Sequence, residues 1–154
     1  MTGREDAGVF GSCVFDDLPA PDFCDVHIVP LPPGAPVDPR VWATTMFSPR
    51  GAPSWVRAAI AARQALVPLL GVPRSDGAAF QRVRVVGDEA LIAVDDAHLD
   101  VRIALAVDVA RSLVGCTTAV RLKGRRGRAY FAPVAVGHGP VVQAMLHRTA
   151  RLLG

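Results

Sequence analysis

The chain has 154 residues, of which 51% are hydrophobic and only 20% charged, enough apolar material for one buried core and a composition that excludes global disorder. A net charge of +3 is weak, so any anionic partner has to be argued from where the charges sit. No apolar run approaches the roughly 18–20 residues that a bilayer crossing needs, and the polar start lacks the layout of a secretory signal, so a cytoplasmic protein with no membrane insertion is expected.

Residues 1–22 carry scattered glycines, prolines and charges without period and read as a flexible N-terminal arm, with one domain over residues 23–154. The run Phe23 to Val29 is β-prone and stops at Pro30, whose missing N–H ends ladder pairing. Asp38 before Pro39 supplies a helix cap with proline at the first helical position, so a short helix through Met46 follows. A second helix opens near Ser54, runs through Trp55, Val56, Ala59, Ile60 and Arg63 at helical spacing, and closes at Gly71. After a polar turn at Arg74 to Gly77 the period changes to two, predicting a strand over Phe80–Val86, a turn at Gly87-Asp88 and a strand over Glu89–Val94.

The clearest strand is Leu99–Val107, which puts Leu99, Val101, Ile103, Leu105 and Val107 on a buried face and Asp100, Arg102 and Asp108 on a wet one. A strand over Val114–Lys123 pairs with it through a turn near Arg111-Ser112, giving an antiparallel meander. From about Gly127 to Leu153 the spacing is helical, and Tyr130, Phe131, Val134, His138, Val141, Met145, Thr149 and Leu152 share one stripe. Pro133 and Pro140 lie inside that pattern and predict a kink or break around Val136–Pro140. Cys13, Cys24 and Cys116 are odd in number and widely spaced, as free thiols in a reducing compartment are.

This order, together with Asp95-Asp96-Ala97-His98-Leu99-Asp100-Val101-Arg102, Val120-Arg121-Leu122, Gly127-Arg128-Ala129-Tyr130, His138 and Ala144-Met145-Leu146, resembles the START-like (SRPBCC) superfamily of polyketide cyclases and birch-pollen-allergen-type carriers. Trp42 and Ser54-Trp55-Val56-Arg57 belong to the same likeness, and the D-D-x-H-L-D-x-R string is similar to that of an uncharacterised bacterial family within it. The resemblance implies an α+β helix-grip fold: a curved antiparallel sheet wrapped around a long C-terminal helix, with two short helices after the first strand. It also implies a cavity for a hydrophobic small molecule, lined by Trp55, Leu99, Val101, Ile103, Leu105, Phe131, Val134, Val141 and Met145 and roofed by the Trp55 helix.

In that cavity His138 would serve as base or acid and Tyr130 would polarise a carbonyl, giving cyclisation, dehydration or isomerisation of a polyketide-like or lipid-like substrate with no cofactor. The plainer reading of His138 is a core histidine bonded to a backbone carbonyl, and that of Tyr130 a buried aromatic. Two other functions stay open: a non-catalytic carrier or sensor, and an accessory domain to a nicotinamide-dependent enzyme. Asp96, His98 and Asp100 have a spacing that can ligate a metal, but a structural turn with ion pairs to Arg102 is favoured, and no metal is expected. His27 has no assignable direction, and His147 falls on the polar side of the last helix. Arg125, Arg126 and Arg128, in a basic run from Arg121, offer weak phosphate contact for a coenzyme A or carrier-protein thioester. Interleaved aromatics are missing there, so nucleic acid is not expected as a partner. The chain is expected as a monomer or homodimer. Dinucleotide, Walker, Gly-x-Ser-x-Gly and His-Glu-x-x-His signatures are absent.

Overall fold

The computed structural model describes residues 11–71 and 77–154, so the first ten residues of the expected arm and residues 74–76 of the expected turn lie outside the described residues. Alternating aliphatic residues build five strands: β1 (Phe23–Pro30), β2 (Val83–Val86), β3 (Glu89–Asp95), β4 (Leu99–Asp108) and β5 (Leu113–Leu122). They form one antiparallel sheet in the order β1-β5-β4-β3-β2, a meander from β2 to β5 with β1 laid along the outer edge of β5. The expected α+β layout is the one observed: an open five-stranded antiparallel sheet, short helices after the first strand and a long C-terminal helix, α4 (Gly124–Leu153; helices numbered in chain order).

Register fixes what faces what. Leu105 pairs with Ala90 and with Cys116, and Cys116 in turn pairs with His27, so the alternate residues Phe23, Asp25, His27 and Val29 share a face with Ile103 and Leu105. Against that face lie α4 and α2 (Pro39–Met46), and the main core between them holds Trp42, Met46, Ile92, Leu105, Met145 and Leu146, all nearly inaccessible. Asp38 caps α2 as its position before Pro39 requires, accepting the Arg40 N–H at 2.9 Å. Trp42 anchors the layer: its ring is fully buried and its indole N–H donates to the Pro36 carbonyl at 2.7 Å.

Several expectations change. The described part of the arm is seated on the sheet: α1 (Val14–Asp17) and its neighbours bury Cys13, Val14 and Leu18 against Leu91, Ala104 and Ala119 on the sheet's second face. That face is therefore not simply wet, and Arg102 on it is only 9% exposed, bonded to Asp17 and, at 2.7 Å, to Asp95. Phe80 and Gln81 belong to a 3-10 turn, Gly77–Gln81, and not to β2, because Phe80 stacks on Phe47 and the Gln81 amide donates to the Phe47 carbonyl. The helix α3 (Ser54–Leu66) buries only Val56 among its described side chains and leaves Trp55 50% exposed. The expected break in α4 is absent. Pro133 and Pro140 remove the donors to the carbonyls of Ala129 and Val136, both exposed residues whose carbonyls water can satisfy. No helix among the described residues is long and apolar enough to cross a membrane.

Candidate functional site

On the core-facing side of β1 two ionisable residues, Asp25 and His27, stand between Phe23 and Val29. A polar pair on an apolar strand face must find partners or pay the desolvation cost, and α4 supplies them. Asp25 Oδ2 lies 2.8 Å from His138 Nδ1 and 3.0 Å from His27 Nε2, so one carboxylate oxygen holds both imidazoles. His27 Nδ1 lies 3.0 Å from Gln143 Oε1, and the other end of that amide, Nε2, lies 2.9 Å from His147 Nε2. The edges of Phe23 and His138 meet with ring centroids 5.5 Å apart, and Phe23 also packs on Phe131 at 5.1 Å. Helix and strand are in contact here: a Cβ on Gly139 would lie at an ordinary packing distance of 3.6 Å from His27 Cε1.

The three side chains are 16–20% exposed, so the cluster sits at the rim of the core with one side open. Burial alone raises the Asp25 pKa, but the bonds and charges of His138 and His27 outweigh it and hold the carboxyl below its usual value of 3.8. Asp25 Oδ1 is buried and has no hydrogen-bond partner among the described residues. Cys116, opposite His27 in the register, is fully buried, and burial together with the Asp25 charge pushes its thiol up to about 12. It is an inert thiol, not a nucleophile. Geometrically the cluster can do two things: present an imidazole oriented by a carboxylate, or hold a cation between one oxygen and two nitrogens.

His138 thus reaches a site, with a carboxylate and not a freed backbone carbonyl as its partner. Tyr130 does not join it. Eight residues earlier on the same helix, about 12 Å along the axis, its buried hydroxyl has no hydrogen-bond partner among the described residues, and its ring packs with Leu99 and Val134 beneath the Arg63 guanidinium. Of the expected cavity lining, Ile103, Leu105 and Met145 are buried in the main core and Val101 and Val141 pack on its margin. Phe131 is buried beside Phe23. Open hollows lie elsewhere: one of about 260 Å³ between Thr45, Ser48, Arg50 and Leu152, and one of about 470 Å³ on the second sheet face between Arg82, Arg84, Asp95 and Arg102.

Asp96 and His98 occupy the β3–β4 turn. There the Asp96 N–H donates to the Leu99 carbonyl at 2.9 Å, and Lys123 ties the Asp96 carbonyl to the Asp100 carboxylate, 2.8 and 2.6 Å away. The turn seats the start of α4, since the Lys123 N–H donates to the His98 carbonyl at 2.8 Å and Gly127 lies against that same oxygen. Arg125, Arg126 and Arg128 are exposed, with Arg128 3.9 Å from Asp22. Sequence reasoning passed over Asp25 and Gln143. The available signal was two ionisable residues at i, i+2 on a strand whose same-parity neighbours, Phe23 and Val29, are apolar.

No curated protein and no solved structure matches the chain. A family model described as a protein of unknown function (DUF2867) matches residues 18–145, most of the sequence, and the chain belongs to that family.

Proposed function

We propose that this domain binds an apolar small molecule at the open rim between β1 and α4 and moves a proton on it, with His138 as the base and Asp25 as its orienting partner. The observation that carries the reading is the 2.8 Å contact between Asp25 Oδ2 and His138 Nδ1. A carboxylate accepting from Nδ1–H fixes the tautomer in which Nε2 keeps its lone pair, and it stabilises the imidazolium formed when Nε2 takes a proton. Phe23 and Phe131 beside the ring would supply an apolar contact for a substrate, in keeping with the START-like resemblance read from the sequence. Ring closure, dehydration and isomerisation all need such a base in a partly dry place.

The test uses nitrobenzisoxazole, an apolar probe whose ring opens when a base removes one proton. Protein kept in EDTA should open it faster than buffer does, and His138→Ala should lower the rate about 10²-fold or more. Asp25→Asn should lower it as well, because the amide can hold the ring in the wrong tautomer. An unchanged rate in His138→Ala removes His138 as the base. Saturable binding of the probe with no ring opening would leave a carrier in place of an enzyme.

A further inference from the structure

We propose that Asp25, His27 and His138 form a binding site for one divalent first-row transition-metal ion of the zinc class. This goes beyond the proton-transfer reading and does not rest on it. The three residues each offer one donor atom, and these atoms all lie within 4.8 Å of one another. Metal–donor bonds of about 2.0–2.1 Å in tetrahedral array put donors about 3.3 Å apart. The contacts of 2.8 and 3.0 Å from Asp25 Oδ2 to the two imidazoles need to widen by a few tenths of an ångström to accept an ion, and the two imidazole nitrogens, within 4.8 Å of each other, need to turn onto it.

Gln143 decides which nitrogen of His27 is offered. Its Nε2 donates to His147 Nε2, so its Oε1 accepts from His27 Nδ1–H, and in the neutral ring the lone pair of His27 Nε2 is then turned toward the Asp25 carboxylate. These two atoms, 3.0 Å apart, share a proton when the ring is an imidazolium and can share a metal ion when it is neutral. A second donor bonded to an outer amide is also how metal-binding histidines are commonly oriented. Asp25 Oδ1, buried and without a hydrogen-bond partner among the described residues, is a further oxygen of the same carboxylate that an ion can use. With Cys116 buried in the core as a neutral thiol, the donor set is two nitrogens and a carboxylate, which suits zinc or its cobalt analogue and not a soft ion. Three protein donors leave one position of a tetrahedral ion open on the exposed side of the cluster.

Ion binding and base action exclude each other at His138. An ion on Nδ1 displaces the proton that Asp25 accepts, and that proton then resides on Nε2, where the lone pair of the free dyad was. The two readings therefore separate cleanly in experiment.

The chain, stripped with EDTA and exchanged into metal-free buffer, is titrated with Zn²⁺ by calorimetry and with Co²⁺ by visible absorption. The expected result is one ion per chain, with the intense visible bands of four-coordinate cobalt. His27→Ala and Asp25→Ala should each weaken binding well beyond tenfold, and Gln143→Ala by about tenfold through loss of ring orientation. His98→Ala, in the β3–β4 turn, should leave affinity unchanged. Far-ultraviolet dichroism and melting of the metal-free variants show whether each is folded, and if His138→Ala does not fold, His27→Ala carries the test. Stoichiometric binding that survives His27→Ala in a folded protein overturns the site, as does Zn²⁺ affinity no greater than that of the Asp25→Ala variant. Loss of metal binding alongside base activity in EDTA would overturn this inference alone, and the reverse pattern would overturn only the proton-transfer reading.

Discussion

Two of the four glycines of α4, Gly127 and Gly137, allow packing to be separated from helix propensity. Alanine in place of glycine inside a helix gains about 1 kcal/mol, chiefly in backbone entropy. At Gly137 an added Cβ meets nothing within 4 Å, so its alanine variant should show the gain. At Gly127 the new carbon collides with the His98 carbonyl oxygen and stands 3.3 Å from its carbon, and these are backbone atoms that cannot rotate aside. Relief has to push the β3–β4 turn away from the start of α4, straining the Lys123 N–H bond to that oxygen. Overpacking costs about 1–3 kcal/mol and the strained hydrogen bond about 1 kcal/mol, against a gain of about 1 kcal/mol. Gly127→Ala should therefore lie about 2–4 kcal/mol below Gly137→Ala, which at about 2–4 °C per kcal/mol for a chain of this size is a gap of at least about 4 °C in Tm. Urea unfolding followed by dichroism, with equal m-values as the two-state check, measures it. If Gly127→Ala and Gly137→Ala are equally stable, the turn does not seat the helix; if Gly137→Ala is the weaker, the entropy premise fails.

Trp42→Ala should cost about 3–5 kcal/mol in the same assay, and Trp42→Phe less, since it keeps an aromatic ring but leaves the Pro36 carbonyl without its indole donor. The bond from Arg102, then its charge, a hydrogen bond with Asp100 and the charge of Lys123, hold Asp95 below 3.8 against partial desolvation. A depressed carboxylate stabilises the fold above that value and loses its contribution as pH falls through the lower folded one, so wild type and Asp95→Asn should differ near pH 6 and converge as the pH falls through that lowered value. With Asp95 63% exposed, the difference should stay under about 1 kcal/mol. A thiol reagent should label Cys24 rapidly in the folded protein and reach buried Cys13 and Cys116 only on unfolding, as mass spectrometry of the labelled chain would show; fast labelling of all three would refute the burial.

The strands and caps were legible because their signals are local. Leu99 to Val107 alternates within itself, and Asp38 needs only Pro39 behind it to start a helix. The seat of the arm was not legible. Cys13, Val14 and Leu18 carry no period of their own and are buried only because β3, β4 and β5 place Leu91, Ala104 and Ala119 side by side, a surface no single stretch of sequence displays. The unbroken course of α4 was hidden for a related reason, since the cost of its prolines depends on whether the freed carbonyls face water.

The candidate site shows the same division within one cluster. His138 could be placed on a helical face from spacing alone, whereas Asp25 and His27 depended on which side of β1 turns inward. Both sides of that strand are apolar enough to be buried, with Cys24, Val26 and Ile28 alternating against Phe23 and Val29, so hydrophobic pattern leaves the choice open. A shift of one residue against β5 would turn Val26 and Ile28 toward α4 and leave His138 and Gln143 facing hydrocarbon with no polar partner. An imidazole and an amide denied partners at the margin of a core cost about 1–3 kcal/mol each, comparable to the gain from burying one more aliphatic side chain. The observed register satisfies both with Asp25 and His27. The polar cluster and the pairing of β1 with β5 therefore specify each other, and the residues proposed here for chemistry also hold the edge strand in place.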